Sequence, residues 1–184
     1  MTEFIRNNFI TYLIVMLGTA FIFPLGALEL GNEYYLMAFG AKILVFLLYG
    51  VSILPGVILA KLTYMLYISD VGADPTMAVH LSLISAAMPA IAMYAMNFTG
   101  VSNLRDLAHL DFRHIVFFIG LTSILSSLTK FIYMSNFVAL DHQAAQFLLQ
   151  YISGHLIGGT LIVYLVVRFS PQILGFISRI VSVK

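Results

Sequence analysis

Two lysines and a histidine stand inside runs of apolar residues, where an ionisable side chain needs a reason. Lys42 lies in the run 34–50, Lys61 in the run 54–68, and His155 in the glycine-rich stretch that begins at Gly154 and includes Gly158, Gly159 and Thr160. A lysine at the centre of a bilayer costs about 2.5–3.5 kcal/mol on insertion scales. Three outcomes would offset that cost. The lysines snorkel to lipid headgroups, they line a wet cavity that receives an anionic ligand, or they meet an acid on another subunit. Every Asp and Glu falls in a loop or at the end of an apolar run, so no carboxylate inside the membrane is at hand.

His155 admits a sharper chemistry and a plainer one. A histidine on a glycine-lined helix can be an axial ligand to haem or a chlorin, the glycines admitting the flat ring. Nothing in the chain supplies a second ligand, and no cofactor is required by the sequence. An interhelical hydrogen bond is therefore the expectation for His155. Gly154, Gly158 and Gly159 make a flat helical face that lets another backbone approach closely. Internal packing is expected there, with Ser123, Ser126 and Ser127 as one small, polar partner face. Lys130 reads as an interfacial anchor, and His80 as a donor to a backbone carbonyl. The polar stretch 103–114 mixes Arg105, Asp106, His109, Asp111, Arg113 and His114. Such alternation of sign is typical of a solvated, salt-bridged segment. Arg105, Asp106 and Arg113 also make it the best cytoplasmic docking surface in the chain.

Composition places these residues in a membrane. The chain is 61% hydrophobic and 9% charged, against about 45–50% and about 25% in soluble domains. Its 184 residues favour one domain. A net charge of +1 gives no electrostatic footprint for nucleic acid. There is no cysteine, which excludes disulfides and thiolate chemistry. Neither a phosphate-binding loop, nor a zinc-binding His-Glu pair, nor a serine elbow is present, so the chain is not expected to be an enzyme.

A helix needs about 20 apolar residues to cross the hydrocarbon. On that measure the chain is all-α, a polytopic bundle of six spans with both termini cytoplasmic: 9–28, 34–50, 54–68, 76–97, 113–134 and 143–169. The first run, although signal-like, is long enough to be a retained span. Gly50, Ser52, Pro55 and Gly56 divide the second span from the third. Pro89 is expected to kink the fourth and Pro171 to end the sixth. The tail 172–184 has the spacing of a short interfacial helix. With this division Arg6, Arg105, Arg113, Arg168, Arg179 and Lys184 fall on one side, while Glu29, Glu33, Asp70, Asp74 and Asp141 fall on the other. That asymmetry obeys the positive-inside rule. Merging the second and third spans would break it.

From residue 50 to residue 169 the order of features resembles the bacterial membrane-associated sensor domains of the first type. The Pro-Gly turn within 53–62, the Leu-Arg-Asp-Leu loop at 104–107 and the glycine helix at 154–163 carry the resemblance. It implies a polytopic input module of the bacterial inner membrane. His155 stands where that family commonly has Asp, and no output domain follows by residue 184. A stand-alone sensor-like module would act as an accessory or regulatory subunit, in contact with another membrane protein or complex as well as with lipid. The alternative is a small-molecule-binding component. Six short helices around a cavity also resemble the substrate-binding subunits of energy-coupling-factor vitamin transporters, and an anionic ligand would then lie near Lys42 and Lys61.

Overall fold

The computed structural model describes residues 2–20, 35–67, 74–101, 111–136 and 144–181, with side chains for 2–20, 38–67, 74–101, 111–136 and 145–169. Arg105 and Asp106 lie outside the described residues, as do the expected continuation of the first span over 21–28 and the side chains of the tail. Among the described residues the regular structure is entirely helical. The helices are α1 (Thr2–Ala20), α2 (Tyr35–Tyr49), α3 (Leu54–Tyr67), α4 (Pro75–Phe98), α5 (Phe112–Ser135) and α6 (Ala144–Val181), with a 3-10 turn at Gly50–Ile53.

Each helix packs chiefly on two neighbours, and the order α1, α3, α4, α5, α6, α2 returns to α1. The bundle is therefore a closed ring, and the neighbours in space are not always neighbours in sequence. α1 lies between α2 and α3, and α6 reaches back to α2. The apolar centre of the ring is continuous from Val15 of α1 through Phe46, Ile53, Met93 and Phe118 to Val163 of α6. The outward face is also apolar: Leu17, Leu59, Ile91, Phe117, Ile132 and Ile157 are all exposed. Polar side chains are found inside instead, including Lys42, Ser85, Thr122, Ser126, Lys130 and His155. An apolar exterior around a polar interior suits lipid as the surrounding solvent.

Four helical stretches among the described residues are long and apolar enough to cross a membrane: Ala38–Tyr67, Pro75–Phe98, Phe112–Ser135 and Ala145–Phe169. Six were expected, and the difference has local causes. α1 starts at Thr2 and carries Glu3, Arg6, Asn7 and Asn8 in its first two turns. The expected second and third spans are arms of only 15 and 14 residues within one apolar stretch. The two arms diverge at the 3-10 turn, and α1 packs between them. In a single straight helix Lys42 and Lys61 would stand about 28 Å apart at 1.5 Å per residue. Both line the same cavity, so the chain reverses at the 3-10 turn. Gly50 has φ +69° there, a left-handed conformation that a side chain disfavours.

α4 continues through Pro89, which is buried in the ring, and Pro171 behaves differently from expectation. α6 does not end at Pro171; its backbone stays helical to Val181, so the expected separate tail helix is its continuation. The α4 start is ordinary: Asp74 caps it by accepting the Thr76 N–H at 2.8 Å, and Pro75 occupies the first turn.

Candidate functional site

The ring closes around a cavity of about 30 Å³, room for one or two waters. Every helix contributes to its wall. α1 gives Val15 and Thr19, α2 gives Phe39 and Lys42, and α3 gives Val57 and Lys61. Across from them stand Ser85 of α4, Lys130 of α5 and His155 of α6. Residues more than a hundred positions apart thus meet at one point, and four of the lining side chains are basic. No carboxylate lines the cavity, and the described carboxylates, Glu3, Asp74 and Asp111, are all exposed.

The lysines are held in distinct ways. Lys42 is 5% exposed, and its Nζ donates to the Ser85 carbonyl at 3.0 Å and to Ser85 Oγ at 3.1 Å. Those bonds tie α2 to α4 across the ring. The same amine lies 4.8 Å from the centroid of the Phe39 ring. Lys61, partly buried, lies 4.7 Å from the Tyr64 centroid, and Lys130 lies 5.4 Å from that of Tyr151. All three distances are within cation–π range. Snorkelling does not describe Lys42, whose amine points to the interior. Lys130 is no interfacial anchor either: it is 6% exposed and faces the cavity, because the buried stripe of α5 continues to its last turns.

His155 is 2% exposed. Its ring stacks on Phe39 with centroids 4.1 Å apart and planes 11° from parallel, and Tyr151 meets it edge-on. Among the described residues the expected interhelical hydrogen bond is not made: Nδ1 is buried and has no partner. One face of the imidazole is covered by Phe39 and the adjoining space has room for only one or two waters, so the residues present do not fit a haem or chlorin. The glycines around His155 explain how the rings come so near. A Cβ on Gly159 would stand 2.8 Å from Ile119 Cγ2 and 3.2 Å from Phe39, and one on Gly40 would stand 2.8 Å from the Gly158 carbonyl. The small-residue face of α6 is therefore filled by α2 and α5. Gly154 is partly buried beside it. Ser123 adds to the α5 contact by donating to the Ile152 carbonyl at 3.1 Å.

The other sequence candidates lie apart from this cavity. His80 shares a 2.9 Å hydrogen bond with the Tyr133 hydroxyl, not with a backbone carbonyl. Arg113 is exposed at the start of α5, where Asp111 caps the helix. A shallow groove between α5 and α6, lined by Phe112, Ile157 and Tyr164 among others, is apolar and carries no charged group. Sequence reasoning missed Ser85 and placed Lys130 wrongly. Ser85 had a signal, since Ala78, Ser82, Ser85, Pro89, Ala92 and Met96 recur at helical spacing and form the buried stripe of α4.

The sequence matches no protein-family model and no curated protein, and no solved structure matches the fold.

Proposed function

We propose that this protein is a membrane-embedded binding component for a small anion, with Lys42, Lys61, Lys130 and His155 around the ligand. One observation carries the reading: basic side chains from four different helices converge on one cavity whose wall has no carboxylate. Like charges brought together in a low-dielectric interior repel strongly. Burying charge is tolerated only when it is compensated, and a bound anion supplies that compensation for the group as a whole.

The accessory-subunit reading drew on the resemblance to a stand-alone sensor module and, in part, on the small-residue face of α6. That face is filled within the bundle by Phe39, Gly40 and Ile119, so it does not argue for an external partner, and the binding reading takes the lead. A sensor-like module would use the same pocket as its input. For topology the proposal retains six crossings with both termini on the basic, cytoplasmic side of a bacterial inner membrane, α2 and α3 being short arms that thin the bilayer locally. A tag in 102–110 reachable from outside intact cells would reject that orientation.

Thermal unfolding of the purified chain against a panel of anions tests the function. Saturable stabilisation by at least one anion is expected, disappearing in Lys42→Leu. Identical unfolding across the panel would reject the reading.

A further inference from the structure

The anion reading leaves size and contacts open, and the wall of the cavity addresses both. Three helices present hydrogen-bond donors that the fold does not use. Lys42 has three N–H donors, of which two go to Ser85. Ser85 Oγ accepts from Lys42, while its own hydroxyl proton makes no hydrogen bond among the described residues. His155 is 98% removed from solvent, and its Nδ1 is without a partner. A buried polar atom without a bond costs about 1–3 kcal/mol, so leaving such groups around one space is expensive unless something occupies it. Nearby, Thr19 is not available, because its hydroxyl donates to the Val15 carbonyl at 2.6 Å.

The space itself limits the occupant. About 30 Å³ admits one or two water-sized particles. The rest of the wall is Thr19, Lys61 and Lys130 together with the apolar or aromatic Val15, Ala38, Phe39 and Val57. An oxyanion brings several acceptor oxygens, each needing a donor in a dry site. A space of one or two waters does not admit a central atom with all its oxygens so bonded. A spherical ion needs only a few donors, from any direction.

From this we infer that the ligand is a halide-sized inorganic anion, seated between Lys42 Nζ, the Ser85 hydroxyl and the His155 imidazole. The inference rests on the anion-binding reading and narrows it. Lys42 supplies charge and one donor, Ser85 fixes Lys42 and adds a second donor, and the Phe39 stack holds the imidazole edge toward the cavity. Lys61 and Lys130, on the same wall, add to the potential at the centre.

The test uses the full chain in detergent, free of chloride, with gluconate keeping ionic strength constant. Melting temperature is followed against chloride, bromide, nitrate, sulfate and phosphate for the wild type, Ser85→Ala and His155→Phe. Phenylalanine keeps the stack on Phe39 and removes the ring nitrogens; Ser85→Ala removes one hydroxyl and little volume. Saturable stabilisation by chloride and bromide is expected, with the half-saturating concentration raised about tenfold in each variant. If only sulfate, phosphate or nitrate stabilises the protein, and Lys42→Leu abolishes it, the anion reading stands and the halide class is overturned. Halide stabilisation undisturbed in both variants would overturn the placement. An absence of saturable response to any anion would overturn both.

Discussion

Asn8 and the Lys42 cavity both place hydrogen-bonding groups where helices meet, yet they are opposite in kind. Asn8 of α1 donates through Nδ2 to the Phe4 carbonyl at 3.0 Å and to the Ser52 carbonyl at 3.1 Å, and its Oδ1 accepts the Gly56 N–H at 2.8 Å. Gly56 is so close that a Cβ there would meet the Asn8 carbonyl oxygen. Three of the four hydrogen bonds available to the amide are made, at a partly buried junction where the two backbones are in close contact. At the cavity, donors on Lys42, Ser85 and His155 go unused beside an open volume. A polar group whose bonds are complete holds the fold together. Polar groups with unused bonds around a shared space await something else.

The contrast can be broken most severely at the closed junction. Gly56→Ala should push α1 from α3 and cost about 3 kcal/mol, the upper range for overpacking, read as a large fall in melting temperature. Neither Gly56 nor Asn8 lines the cavity, so any protein that still folds should keep a saturable anion response. Loss of that response with full stability would erase the distinction between the two regions.

Next in size is Asn8→Ala. It leaves the Gly56 N–H without its acceptor and the Ser52 carbonyl without its donor, at about 0.5–1.5 kcal/mol for each bond. A change indistinguishable from wild type in the same melting assay would show that water replaces the amide, and that the junction is not closed.

The smallest effect sharpens the comparison inside α5. Ser123 donates to Ile152, whereas the hydroxyls of Thr122, Ser126 and Ser127 are buried and make no hydrogen bond. Ser123→Ala should cost about 1 kcal/mol. Ser127→Ala should be neutral or slightly stabilising, since an unbonded polar atom is removed. The reverse ranking in equilibrium unfolding would contradict the hydrogen-bond pattern described for α5.

Some of this was legible in the sequence because it depends on residue type alone. Lys42, Lys61 and His155 stand out in apolar runs by the cost of burying them, and the helical class follows from run length. Their convergence was not legible. It depends on the reversal at Gly50 and on α6 closing against α2, both set by long-range packing. Lys130 misled because nearness to a span end normally means access to headgroups, whereas here the buried face of α5 extends to that end. Ser85 is one hydroxyl among many small residues in α4, and its importance comes only from the amine it meets. Asn8 lies in a polar first turn that looks solvent-facing until α3 is placed against it. Pro171 lacks the effect expected of a proline because the helix continues past it.

The most direct measurement is anomalous diffraction from crystals of the intact protein soaked in bromide. The account predicts one dominant bromide peak inside the ring, within hydrogen-bonding reach of Lys42 Nζ, the Ser85 hydroxyl and the His155 ring. A cavity without bromide at saturating concentration, or ordered bromide only on the exterior, would contradict it.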